Sequence, residues 1–219
     1  MSAVVLAADW LERLAAVPAS ARPEDLSRFL PPEDGGRPSA VLMLFGVDDE
    51  GRPDVLLTQR ADSLRSHPGQ VSFPGGSLDP TDAGPAECAV REAVEETGLH
   101  ADGVEVLGEL PALFLPPSGF VVTPVLAYWR TSSPVSAVDE AEVARVVRVP
   151  LVELLDPANR VTTRHPSGFV GPAFTVRGLF VWGFTAGLLA RVLALAGLEH
   201  PWDRRRVVDL PPDVLALLP

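Results

Sequence analysis

Three glutamates fall within five residues of this chain, Glu92, Glu95 and Glu96, with Arg91 directly before them. Carboxylates are hard oxygen donors of the kind that hold divalent metal, and like charges this close repel unless cations stand nearby. Mg²⁺ bound by few carboxylates keeps several waters, which leaves positions for phosphate oxygens and for an attacking water. The residue types therefore point to phosphoryl chemistry. Arg91 stands where its guanidinium can pair with Glu95 and fix that rotamer. An acidic helix is ordinarily a solvated face, and R-E-A-V-E-E alone would be read so. The context tells against that reading: F-P-G-G lies upstream and Gly98-Leu99 closes the segment.

The elements that must position these residues follow from their neighbours. Pro85 suits the first turn of a helix and Gly98 its stop, which predicts a helix of roughly three to four turns between them. Gly75-Gly76 and Pro80 argue against regular structure upstream and predict a loop feeding that helix. With Glu92 at zero on a wheel of ~100° per residue, Glu96 lies near ~40°, Glu95 near ~300° and Cys88 near ~320°. Ala86, Val90, Ala93, Val94 and Thr97 gather between ~100° and ~200°. The expectation is one packed face and an opposite face of carboxylates, with Cys88 plugging the contact to the F-P-G-G loop and doing no chemistry.

Along the chain, residues 4–17 read as an amphipathic opening helix, and Pro18 to Pro38 as a segment wrapping the main body. Ala40–Phe45 is an apolar run suited to a central strand, followed by a turn at Asp48–Gly51 and a partner strand over Asp54–Gln59. Gly69–Phe73, Val104–Leu107, Phe120–Trp129 and Val143–Val149 are further strands, with Pro124 marking an irregularity or an edge. Leu151–Leu155 reads as a helical turn. Val161–Thr163 and Ala173–Val176 read as a hairpin around Pro166-Ser167-Gly168, and Leu179–Ala196 as a long helix stopped by Gly197. Strands, helix, strands, helix without a repeating βαβ period argue for an α+β fold, a mixed sheet clasped between helices.

Length and composition bound the function. At 219 residues, 47% hydrophobic and 21% charged, the chain suits a single globular domain over 1–219, with 1–38 as N-terminal helix and wrapping segment and 198–219 as C-terminal extension. A net charge of −11, from 29 acidic and 18 basic residues, argues against a nucleic-acid partner, so a phosphorylated substrate needs local arginines or metal. One cysteine, Cys88, excludes an intramolecular disulfide and a cysteine-based zinc site and suits a reducing, cytoplasmic setting. No stretch approaches the ~20 apolar residues that span a bilayer, so no membrane role is expected. His100, His165 and His200 are too scattered to form a metal set.

Arg91 to Leu99 resembles the second half of the Nudix box, G-x5-E-x7-R-E-U-x-E-E-x-G-U, where U is a bulky aliphatic residue; Ala93 is a small residue at a U position. The first half departs. Counting from Gly76, the glutamate position holds Asp82, and Arg91 arrives one residue late. The stretch upstream is similar to the signature of one Nudix branch, the coenzyme A diphosphatases: L-L-T-x-R-S/A-x3-R-x3-G-x3-F-P-G-G. It is matched without a gap by Leu56-Leu57-Thr58, Arg60-Ala61, Arg65, Gly69 and Phe73-Pro74-Gly75-Gly76. Glu142-Val143, Pro150-Leu151 and Trp182-Gly183-Phe184-Thr185-Ala186 match further positions of that branch, so the resemblance spans roughly residues 40 to 195.

The resemblance implies a Nudix-type α/β/α sandwich, Mg²⁺ or Mn²⁺ as cofactor, and Glu92 and Glu96 as metal ligands, with Glu95 as a third ligand or supporting partner. It implies an outlying acid that completes the site or activates water. Glu142 is chosen for its place in the Glu-Val pair, with Glu140 and Asp139 as runners-up. Arg60, Arg65 and His67 fall in the signature segment and are assigned to substrate phosphate, though His67 also suits an ordinary surface position. Gly75 and Gly76 either present backbone N–H groups to a diphosphate or only make a turn, and Trp182 reads mainly as core. The implied activity is hydrolysis of coenzyme A or acyl-CoA to 3′,5′-ADP and a 4′-phosphopantetheine product. Another nucleoside diphosphate substrate such as ADP-ribose, NADH or a dinucleotide, a nucleotide-sensing domain without turnover, and association into a homodimer all stay open.

Overall fold

In the computed structural model, residues 6, 8–33, 35–64, 67–116 and 118–217 are described. Three short helices come first: α1 (Trp10–Ala15), α2 (Val17–Ser20) and α3 (Pro23–Leu26). The expected helix over 4–17 is thus shorter and broken at Ala16, and its first residues fall partly outside the described ones. Pro18 lies in the first turn of α2, where a missing N–H costs nothing. Leu14 and Val17 are buried, and Trp10 meets Tyr128 edge-on at 6.3 Å.

Strands β1 (Arg37–Val47) and β2 (Pro53–Arg60) form the expected hairpin, and β3 (Val71–Ser72) and β4 (Gly75–Ser77) follow. Helix α4 (Pro85–Thr97) comes next, then β5 (Val104–Glu109), β6 (Leu113–Leu115), β7 (Phe120–Trp129) and β8 (Val143–Pro150). Helix α5 (Leu151–Leu155) leads to β9 (Arg160–Arg164), β10 (Val170–Val176) and β11 (Leu179–Val181). Helix α6 (Gly183–Leu195), β12 (Val207–Asp209) and α7 (Pro212–Ala216) complete the chain.

Eight strands make a mixed sheet along the path β3-β2-β1-β7-β5, with β4 on β1, β6 on β7 and β8 on β2. The β1–β7 pair is parallel and its neighbours are antiparallel. Alternation along β1 sends Ala40, Leu42 and Leu44 to the α4 side, and Met43 and Phe45 to a second core shared with α1, α2 and α6. Pro124 lies inside β7 rather than on an outer edge. It falls between the stretch paired with β6, which ends at Val122, and the stretch paired with β5, which begins at Val125. Its carbonyl still accepts from Leu110 N–H at 2.8 Å.

Two expectations are corrected. Leu179–Val181 is strand β11, paired with β10 across the Arg177-Gly178 turn, where φ is +52° and +73°; helix begins only at Gly183. Leu179 and Val181 bury one strand face, a pattern an apolar helix start imitates over three residues. Secondly, the chain builds a separate four-stranded sheet, β11-β10-β9-β12, where only a hairpin was expected, and the C-terminal extension supplies β12.

Candidate active site

The site is made where β1 and β2 part. They pair directly at Phe45↔Val55 through Val47↔Pro53, then diverge, and residues 71–77 fill the wedge with β3 on β2 and β4 on β1. The Leu42 N–H, freed by the divergence, donates to Pro74 O at 2.8 Å. Gly75 and Gly76 are therefore strand residues opposite Val41 and Ala40, a correction to the loop expected there. Their lack of side chains serves close approach. A Cβ on Gly75 would strike the Ala40 carbonyl, and one on Gly76 would overlap the Glu92 carboxylate.

Helix α4 lies over this wedge. Gly98, at φ +68°, ends it as the left-handed cap expected. The buried residues of α4 are Cys88, Ala89, Ala93 and Thr97, whereas Ala86, Val90 and Val94 are only partly covered. This shifts the packed face by roughly a quarter turn toward Glu92 and Glu96 on a ~100° wheel. Those two carboxylates thus aim at the sheet instead of away from it, because the glycine pair leaves room for them. Cys88 is buried with its Sγ 3.4 Å from Ser77 O, and burial raises its thiol to about 11, which keeps it inert.

Arg91 organises the outer side. Its Nε and Nη2 donate to Asp82 Oδ1 and Oδ2, both at 2.9 Å, and its Nη1 donates to Glu92 Oε1 at 3.0 Å and Glu95 Oε2 at 3.1 Å. The bidentate pair with Arg91, with a backbone hydrogen bond from Asp79, holds the Asp82 carboxyl down to about 2. Asp82 is the partner of Arg91 that its spacing in the sequence did not reveal. The extra residue before Arg91 is taken up in the turn at 79–82, where Asp79 N–H donates to Asp82 Oδ2 at 2.8 Å.

Glu96 is the group most changed by its surroundings. Burial pushes its carboxyl up to about 7, helped by the Glu92 charge and further by Glu142, while the Gly75 N–H and Arg60 pull the other way. Its Oε2 is buried without a hydrogen-bond partner, and so is Arg60 Nε. Burial likewise raises Glu92 against the pull of Arg91. The charges of Glu92, Arg60 and Glu142 thus all act on Glu96. Glu142 is exposed, but its carbonyl accepts from Ala61 N–H at 2.9 Å, fixing it beside the signature strand.

Other expected residues stand apart. The Glu95 side chain is 59% exposed and turned to Arg91, and among the described residues no three His, Cys, Asp or Glu side chains converge as a metal set. Arg91 draws Glu95 outward, so two carboxylates, not three, face the wedge. His67 is exposed at φ +55° with Nδ1 3.2 Å from Gln70 Oε1, which makes it a turn residue of the signature segment. Arg65 lies outside the described residues. Asp139 caps its own turn by accepting from Ala141 N–H at 2.8 Å. Trp182 stacks on His165 at 5.7 Å, where β11 passes into α6.

A wedge of glycine strand under an R-E-x-x-E-E helix defines a class of protein, and comparison with known proteins gives its name. The NUDIX domain family matches residues 36–167, from β1 into the β9–β10 turn. A Cronobacter sakazakii protein named "Uncharacterized Nudix hydrolase NudL" is 42% identical over 172 residues, covering 75% of this chain and 85% of that protein. Its Escherichia coli K12 namesake is 40% identical over 164 residues, covering 72% and 82%. A crystal structure of a MutT/nudix family protein from Enterococcus faecalis shares the fold at TM-score 0.50 and 16% identity, over 97% of this chain and 80% of that one. This chain belongs to the Nudix hydrolase family. It is an enzyme acting on diphosphate bonds, in a family that uses divalent metal ions. Among the described residues no helix is long and apolar enough to cross a membrane.

Proposed function

We propose that this enzyme hydrolyses the diphosphate of coenzyme A or its thioesters, giving 3′,5′-ADP and a 4′-phosphopantetheine product, with Mg²⁺ or Mn²⁺. The observation that carries the reading is Glu96: a buried carboxylate with an unpartnered oxygen, crowded by Glu92, is unfavourable unless a cation joins it. Oxygen donors alone suit a hard divalent ion. Glu92 and Glu96 would hold it, and Glu95 would join them on leaving Arg91.

When bound, the metal neutralises diphosphate oxygens and lowers the pKa of an attacking water. The chain's own residues do the rest. Asp82 fixes Arg91, and Arg91 sets the rotamers of Glu92 and Glu95. Arg60 keeps a buried, unpartnered Nε and its charge acts on Glu96, so it is assigned to donate to a phosphate oxygen. Glu142, whose charge acts on Glu96, is assigned to take the proton of water. Arg65, His67 and the backbone of Gly75 and Gly76 are assigned to the diphosphate through the signature segment Leu56 to Gly76, which also carries the choice of coenzyme A. A small nucleotide is the partner, in the cytoplasm.

Products from coenzyme A, ADP-ribose, NADH and dinucleoside polyphosphates, compared by mass spectrometry with Mg²⁺ and with Mn²⁺, test this. Coenzyme A is expected to be cleaved at the highest kcat/KM. Preference for another compound would overturn the substrate assignment, and absence of any turnover would overturn the catalytic one.

A further inference from the structure

The end of α4 is tied by its backbone to the turn that carries Glu142. Gly98 turns the chain away at φ +68°, so no helical N–H follows for the carbonyls of Glu96 and Thr97. They accept instead from Val138 N–H at 3.2 Å and Ser136 N–H at 3.1 Å. His100 N–H donates to Ser133 Oγ at 3.0 Å, and Val135 packs beside the α4 core, so residues 133–138 run as a strap across the helix end.

Val138 passes the chain directly to Asp139–Glu142, a turn closed on itself. Asp139 O accepts from Glu142 N–H at 3.0 Å and Val143 N–H at 2.9 Å, and Asp139 Oδ1 accepts from Ala141 N–H at 2.8 Å. On its far side the Glu142 carbonyl accepts from Ala61 N–H at 2.9 Å. The turn is therefore held at one end by the backbone of Glu96 and at the other by the residue after Arg60. A short turn whose own groups are bonded internally has little freedom to absorb a shift at either anchor. Val138 contributes little by packing: it is 61% exposed and meets the helix end near Gly98, where an added Cβ would lie 3.5 Å from its Cγ2. What it supplies is an N–H.

We infer, on the roles proposed for Glu96 and Glu142, that Val138 is a positioning residue of the active site: its backbone N–H, held by the Glu96 carbonyl, sets the turn bearing the proposed base against the residue that bears the proposed metal ligand. Ser136, bonded to the Thr97 carbonyl one step further from the turn, only fastens the strap.

Backbone esters test this in the whole protein. α-Hydroxyisovalerate in place of Val138 removes the N–H and keeps the side chain; the corresponding hydroxy acid in place of Ser136 removes the neighbouring strap bond. Each loses one hydrogen bond, so the two are expected to lower the melting temperature alike. The ester at Val138 is expected to lower kcat about tenfold with KM unchanged, and the ester at Ser136 to leave kcat within about twofold. Val138→Ala keeps the N–H and is expected to keep kcat. Adding Glu142→Gln to the ester at Val138 is expected to lower kcat no further than Glu142→Gln alone, because both act through one group. The kinetics use whichever of the diphosphates compared above is cleaved fastest, which separates the outcome from the choice of coenzyme A. An unchanged kcat for the ester at Val138, equal losses from the two esters, or losses that multiply with Glu142→Gln would overturn the inference and leave the role of Glu142 standing. Wild-type kcat in Glu142→Gln would overturn the base assignment, and the positioning role with it.

Discussion

Arg91 and Asp82 face each other through two parallel hydrogen bonds of 2.9 Å, although Asp82 stands nine residues upstream across a turn. The pair ties the start of the acidic helix to the loop before it and holds Arg91 against Glu92 and Glu95. The Asp82 carboxyl is lowered from 3.8 to about 2, so its stabilising contribution is full above about pH 4 and fades as pH falls toward 2. Asp82→Asn is therefore expected to lower the melting temperature at pH 6, and the gap from wild type is expected to narrow between pH 4 and pH 2. Calorimetry across that range checks it; a gap that stays constant would separate the effect from the ion pair.

Glu96→Gln is expected to lose about a hundredfold or more in kcat while remaining folded. In metal-free protein its effect on stability runs the other way. Burial raises the Glu96 carboxyl from 4.5 to about 7, so wild type loses stability as pH rises between those values, whereas the glutamine does not titrate. Thermal unfolding in a chelator at pH 5 and pH 8 should show the variant gaining on wild type at the higher pH. Adding Mn²⁺ should then stabilise wild type more than the variant.

Gly76→Ala puts a methyl where the Glu92 carboxylate lies. The atoms it meets belong to the end of a flexible side chain, so the fold adjusts at a cost of about 1–3 kcal/mol. The displaced carboxylate is a proposed metal ligand, so turnover should fall far more than stability does. Activity across a Mn²⁺ titration, beside a denaturant curve, distinguishes the two. A variant with normal kcat and normal metal dependence would show that Glu92 has freedom the wedge does not suggest.

What could be read without coordinates was local. The bounds of α4 follow from Pro85 and Gly98, and β7 from its run of Val, Leu and Tyr, because proline, glycine and β-branched residues act on their own backbone. The direction of Glu92 and Glu96 was not legible. The wheel places them opposite Val90 and Val94, and only the parting of β1 from β2, filled by strand at Gly75 and Gly76, lets carboxylates face inward. Asp82 was hidden for a related reason: its partner is fixed by how the 79–82 turn folds back, not by a spacing.

Arg60 gives a sharper test of substrate contact than the acidic residues do. It belongs to β2 at a bulge between Gln59 and Arg60, acts by its charge on Glu96, and keeps Nε buried without a partner. Arg60→Lys retains a charge but loses the fork. KM for coenzyme A should rise about tenfold with kcat less affected, since the contact is present in the ground state as well. An equal fall in kcat with constant KM would instead make Arg60 a transition-state contact, and an unchanged KM would remove it from the substrate altogether.

Arg148 and Asp54 are a buried ion pair far from this chemistry, and they show what an unpaired carboxylate costs the fold. Arg148 Nε lies 2.7 Å from Asp54 Oδ2, its Nη2 also donates to Val47 O at 2.6 Å, and its guanidinium covers the Trp129 ring at 4.7 Å. Desolvation raises the Asp54 carboxyl even with this partner. Arg148→Met strands the acid in the core and should cost about 3–5 kcal/mol at pH 7. Because Asp54 takes up a proton more readily when folded, the loss should shrink as pH falls toward 5. Asp54→Asn combined with Arg148→Met should recover part of it at pH 7. Urea unfolding of the three proteins at both pH values measures this, and a loss independent of pH would assign the effect to the Trp129 contact instead of the charge.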